Sequence, residues 1–212
     1  MQDIPDAAAM QLDPPELRRR LTQHGPPVPS ACGDDGAGRE SAALIAAAVL
    51  VPIVVHPEGL TVLFTQRTAH LKSHSGQVSF PGGRAEPDDP SPEFTALREA
   101  QEEIGLSRAK VEVVARLSDY FVRTGFRVTP VVGLLTPPLG LAPDGREVAE
   151  VFEVPLAFLL DPRNHQRQTR ELRGQSVGFY VMHYGSRTIW GATAGMLVNL
   201  YRQLAGGAPP IE

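Results

Sequence analysis

Apolar positions fall into short runs along most of the chain and into a helical stripe in two places. Ala42 to Val55 is a run of fourteen residues, apolar apart from the interruption at Pro52. It is too short to span a bilayer, which takes about 20 residues, and it predicts a buried strand over Ala47–Val55. Pro57-Glu58-Gly59 supplies a turn, and Leu60–Arg67 follows as a second strand. Val111–Leu117, Val128–Leu135 and Val177–Tyr184 have the same strand-like character, with a turn at Gly125. Pro155–Leu160 predicts the start of a short helix. Trp190–Leu204, apolar at helical spacing, predicts the last one. Arg163–Gly174 is strongly charged and reads as a hairpin or a mobile loop. Strands interspersed with two substantial helices predict an α/β fold with a mixed sheet between helices.

The second helical stripe carries chemistry. Ser91 is suited to an N-cap, Pro92 to the first helical position and Glu93 to the positive end of the dipole. Gly105 takes the left-handed conformation that stops a helix. Between these ends Glu99, Glu102 and Glu103 fall within one arc of ~100°, opposite Leu97, Ala100 and Ile104. Like charges at i,i+4, here Glu99 and Glu103, cost roughly 0.2–0.5 kcal/mol. Arg98 offsets part of this through Glu102, and a hard divalent cation such as Mg²⁺ would offset more. A solvated acidic face has the same composition, so the cluster alone does not decide between the two.

Composition narrows the classes. The chain has 212 residues, 42% of them apolar, enough for one well-buried domain. A net charge of −4 gives no electrostatic case for nucleic acid or an anionic membrane as partner. The single cysteine, Cys32, excludes an internal disulfide framework and a Cys-based zinc site, which fits a cytoplasmic protein. Residues 1–43 read as a partly disordered N-terminal appendage, with a short helix over Glu16–Gln23 opened by Asp13-Pro14-Pro15. They lack the basic start and apolar core of a secretory signal, and residues 1–38 are expected to be dispensable for chemistry. Residues 44–205 form the main domain and 206–212 a tail. The sequence is compatible with a homodimer and does not fix the oligomeric state.

The stretch Phe80–Leu106 resembles the Nudix box, G-x5-E-x7-R-E-U-x-E-E-x-G-U, with U a bulky apolar residue. Arg98, Glu99, Glu102, Glu103, Gly105 and Leu106 match it, and Ala100 is a smaller residue at the first U. Counted from Gly83, the box's first Glu falls on Asp89, and Arg98 comes one residue late. The resemblance implies an α/β/α sandwich with a mixed sheet. It also implies a Mg²⁺ or Mn²⁺ site made by Glu99, Glu102, Glu103 and the Gly83 carbonyl, with Arg98 orienting the carboxylates. Glu99 or Glu147 would then be the general base.

The flanking sequence is similar to the coenzyme A pyrophosphatases of that family. Thr65, Arg67, Lys72, Gly76, Val78, Phe80, Pro81, Gly82 and Gly83 carry the match, as do the stretches Val128–Gly133, Glu147–Leu156 and Ile189–Leu197. This implies cleavage of coenzyme A, or acyl-coenzyme A, to 3′,5′-ADP and 4′-phosphopantetheine. Arg67, Lys72 and the Gly82-Gly83 turn would bind the substrate. His70 and His74 read as loop residues rather than metal ligands, because the carboxylates already suit a hard ion. Hydrolysis of NADH or ADP-ribose is the rival within enzymes. A catalytically idle nucleotide sensor is the rival outside them.

Overall fold

A computed structural model describes residues 12–23, 44–68, 76–172 and 174–206. Lys72, His70, His74 and Cys32 lie outside the described residues. The elements run α1 (Pro14–Gln23), β1 (Ile45–His56), β2 (Gly59–Arg67), β3 (Val78–Ser79), β4 (Gly82–Arg84), α2 (Pro92–Ile104), β5 (Val111–Arg116), β6 (Tyr120–Val122), β7 (Phe126–Leu135), β8 (Val148–Pro155), α3 (Leu156–Leu159), β9 (Gln166–Leu172), β10 (Gln175–Tyr184), β11 (Arg187–Trp190) and α4 (Ala192–Leu204).

A mixed sheet organises the body. β1 lies parallel to β7 over the ten pairs from Ile45↔Phe126 to Val54↔Leu135, and antiparallel to β2 and β4 on its other edge. β8 pairs β2, and β5 and β6 pair β7. A second, antiparallel sheet has the order β11-β10-β9.

Strand alternation divides the core between two faces. Ala48, Leu50 and Val54 of β1 meet Ala96, Ala100 and Ile104 of α2 on one side. Val51 and Ile53 face the other, where Leu197, Leu200 and Leu204 of α4 pack. The result is an α/β sandwich with a mixed sheet between helices, as the pattern predicts. Among the described residues no helix is long and apolar enough to cross a membrane.

Several elements differ from the sequence reading. Trp190 ends β11, and the last helix starts only at Ala192. The acidic stretch after Glu147 is a strand, β8, hydrogen-bonded along β2. Arg163–Gly174 holds a single strand, β9, which pairs with β10 beyond the stretch instead of forming a hairpin within it. The short N-terminal helix forms, but Leu17 and Leu21 are buried in the α4-side core. Gln203 Nε2 donates to the Leu21 carbonyl at 3.2 Å, and Arg18 pairs with Glu112 of β5. Helix α1 is therefore packed on the body, because its two leucines cover α4.

Candidate active site

The ends of α2 are set by local chemistry. Ser91 is extended and its Oγ accepts from the Phe94 amide at 3.3 Å; Gly105 has φ 68° and returns its N–H to the last turn. Ala96, Ala100 and Ile104 fasten the helix to the sheet, which turns the acidic arc toward the β3–β4 turn.

Two of the three carboxylates meet that turn. The Gly82 amide donates to Glu103 Oε2 at 3.3 Å. A Cβ placed on Gly83 would lie 2.5 Å from the Glu99 carboxyl, so a larger residue there would displace that carboxyl from the turn. Glu102 stands apart, with a side chain 59% exposed. Arg98 Nη1 joins it to Glu99, donating to Glu99 Oε1 at 2.8 Å and Glu102 Oε2 at 3.2 Å.

Asp89 completes this network. Its side chain is 4% exposed, and it accepts from Arg98 Nε at 3.2 Å and Nη2 at 2.9 Å. Thr95 Oγ1 donates to it at 2.8 Å, and the Glu86 amide at 3.0 Å. The Arg98 guanidinium, aided by these other donors, holds the Asp89 carboxyl well below the usual carboxylate range. Arg98 is itself raised, by Asp89 first. Although the loop is one residue longer than the box and carries Asp for Glu, that acid reaches the box arginine. Arg98 is thereby held on the carboxylate side, with Nη2 also on the Arg84 carbonyl at 3.1 Å.

Electrostatics mark Glu99 and Glu103 as the strained members. Burial pushes the Glu103 carboxyl up to about 7, reinforced by Glu99 and Glu147 and opposed by the Gly82 amide and Arg67. Glu99 is also raised, by burial first, with Glu102 and Glu147 adding to it. Glu147 stands on the loop before β8, and its carbonyl accepts from the Thr68 amide at 3.0 Å. The same loop seals the end of α2, where the Ala142 and Asp144 amides donate to the Ile104 and Glu103 carbonyls.

A cleft of about 320 Å³ opens beside Glu103. Arg67 lines it, and its Nε is buried with no hydrogen-bond partner among the described residues. Gly82, paired with Val49, also lines it, as do Phe80, Val128 and Met196. The structure thus brings Glu99, Glu103, Gly82, Gly83, Arg67 and the field of Glu147 to one place, with Glu102 at the rim on Arg98. Among the described residues, no three acidic or histidine side chains converge as a closed metal cage would require. The donor set nonetheless suits a hard cation. It offers only oxygens, two of its carboxyls are raised by burial and mutual repulsion, and a glycine leaves room at the turn. Two site residues, Asp89 and Met196, carry no role in the sequence pattern, although Met196 lies inside the Ile189–Leu197 stretch.

Comparison with known proteins follows the same lines. A family model described as NUDIX domain matches residues 45–173. A protein of Photorhabdus laumondii subsp. laumondii described as "Uncharacterized Nudix hydrolase NudL" is 44% identical over 158 residues, 74% of this chain and 84% of that protein. One of Yersinia pestis with the same description is 40% identical over 159 residues, 75% of this chain and 79% of that protein. Among solved structures, a Nudix hydrolase from M. smegmatis, RenU, is similar at TM-score 0.49 and 21% identity, over 79% of this chain and 89% of that one.

Proposed function

The chain belongs to the Nudix family of pyrophosphohydrolases, and on that premise we propose that its substrate is coenzyme A or an acyl-coenzyme A. The products would be 3′,5′-ADP and 4′-phosphopantetheine. The observation that carries the reading is the facing of Glu99 and Glu103 with the Gly82-Gly83 turn, beside a cleft that Arg67 lines with a buried Nε that has no partner among the described residues. The choice of coenzyme A within the family rests on the stretch Leu63–Gly83 and the later stretches similar to coenzyme A pyrophosphatases.

Divalent metal is the family's general requirement. Glu99, Glu103 and Glu102, with the Gly83 carbonyl, are the oxygens that would hold Mg²⁺ or Mn²⁺, which supplies charge neutralisation at the diphosphate and a more acidic bound water. The protein's own groups do the rest. Arg67 presents its guanidinium to a phosphate oxygen, a contact for which its free Nε is already desolvated. Arg98, held by Asp89, fixes the rotamers of Glu99 and Glu102 and stays away from substrate. Glu147 or Glu99 accepts the proton of the attacking water. Lys72 is proposed as a second phosphate contact on sequence grounds alone.

A product-resolved hydrolysis screen tests this. Coenzyme A, acyl-coenzyme A, NADH, ADP-ribose and nucleoside triphosphates are offered with Mg²⁺ or Mn²⁺. Faster release of 3′,5′-ADP than of any other product supports coenzyme A. Faster turnover of NADH or ADP-ribose overturns that choice and leaves the metal site standing. No turnover of any substrate favours the nucleotide sensor.

A further inference from the structure

The cleft beside Glu103 has an uneven chemistry. Val49, Phe80, Val128, Ala192 and Met196 make its walls, and its cation, Arg67, stands with Glu103. Among the described residues, the other polar side chains of the lining are Gln77, Ser79 and Thr193. Ser79 already shares a hydrogen bond with Thr65, at 3.1 Å between hydroxyls. The Thr193 hydroxyl donates to the Val78 carbonyl at 3.2 Å. Beyond Arg67, Glu103 and Gln77 a base or a sugar would meet mostly apolar wall, whereas the apolar part of an uncharged chain would lose only water.

The wall is also rigid. Phe80 stacks on Phe64 at 5.2 Å between centroids, so its ring is not free to swing. Helix α4 is held just before Met196 at two places. One pin is the Thr193–Val78 bond; the other is Gly195, where an added Cβ would sit 2.3 Å from the Tyr120 hydroxyl. Met196 is 4% exposed and reaches the cleft from a helix that cannot easily retreat.

We propose that the cleft between α4 and β1–β7 receives an uncharged, slender chain esterified to the diphosphate, and that Met196 sets which chains fit. This inference rests on the proposed diphosphate hydrolysis. It adds the side on which the non-nucleoside half lies and the residue that selects it.

The test uses β-phosphate alkyl esters of ADP, from methyl through butyl to octyl, which share one scissile diphosphate and differ only in the chain. With saturating Mg²⁺, kcat/KM should rise roughly fourfold per methylene, the equivalent of ~0.8 kcal/mol each, until the cleft is filled. Met196→Ala should collapse the octyl-to-methyl ratio by at least tenfold, and Met196→Leu should keep most of it. Val128→Thr, a near-isosteric change on a different element, should lower the same ratio without relying on the stability of α4. A flat ladder on a working wild-type enzyme overturns the proposal, as does a steep ladder that neither Met196→Ala nor Val128→Thr changes. If neither the esters nor coenzyme A is cleaved, the hydrolase reading has failed first, and that result is distinct from a flat ladder.

Discussion

Glu103→Gln separates the burden of the site from its use. Glu103 is a carboxyl whose burial lifts it from an ordinary 4.5 to about 7. In the unfolded chain it ionises near 4.5, so between pH 4.5 and 7 the folded state holds the proton that the unfolded state has lost. Its contribution is therefore intact below pH 4.5, is lost as pH rises, and is fully lost above pH 7. At 1.36 kcal/mol per unit, the gap of about 2.5 units corresponds to about 3 kcal/mol. Gln keeps the acceptor for the Gly82 amide and has no charge to desolvate. Without divalent ions, the variant should match wild type near pH 4 and exceed it by about 3 kcal/mol at pH 8. For a domain of this size that is roughly 6–12 °C in Tm. Excess Mg²⁺ should narrow or reverse the difference, because only wild type gains from binding. Turnover of the proposed substrate should fall at least ~100-fold. Thermal melts at several pH values with EDTA or Mg²⁺, together with steady-state rates, provide the check. A Tm difference independent of pH would refute the burial argument, and activity near wild type would refute the ligand assignment.

Asp89→Asn removes a buried partner of Arg98 and should cost about 3 kcal/mol at pH 7. Since the Asp89 carboxyl is depressed, this stability is present above its ordinary range and disappears as the protein is acidified; the urea midpoints of variant and wild type should converge at low pH. Gly83→Ala drives a methyl into the Glu99 carboxyl and should lower kcat by about tenfold or more with little change in Tm; an unchanged kcat would detach the Gly83–Glu99 contact from catalysis. Arg67→Ala should lower kcat/KM by about 10- to 150-fold, the equivalent of ~1.5–3 kcal/mol. Loss with coenzyme A alone places the contact on the 3′-phosphate, equal loss with 3′-dephospho-coenzyme A places it on the diphosphate, and no loss makes Arg67 structural. Deleting residues 1–38 removes Leu17 and Leu21 from the core, and a lowered Tm is expected; an unchanged Tm would show that α4 needs no cover.

What could be read from the sequence was what is chemically local. Ser91, Pro92 and Gly105 fix the ends of α2 through bonds and dihedrals within a few residues, and the acidic arc follows from helical spacing. β3 and β4 escaped because two or three residues hold no pattern, and their pairing with β2 and β1 is made across the fold. β9 escaped as a strand because its residues from Gln166 to Glu171 are exposed, leaving no apolar face to signal it. Asp89 could be aligned with the box acid but not given its bond to Arg98, since one extra residue in a loop says nothing of where the chain then turns. Leu17 and Leu21 look like an ordinary amphipathic pair, and only the presence of α4 beneath them makes them core.

Helix α4 buries eleven of its thirteen residues, and it is the last element of the described chain. Synthesis proceeds from the other end, so the ribosome releases β1, β2 and β7 well before the helix that covers one face of their sheet. Until Leu204 has emerged, the part of that face that packs under Leu197, Leu200 and Leu204 lacks its helical cover. The nascent protein therefore passes through a stage with an exposed apolar sheet face, the kind of surface that draws chaperones or aggregates. A stop codon near Gly191 would hold the chain there permanently. Its acidic helix α2 would be fully encoded, and the opposite face of its sheet would lack α4.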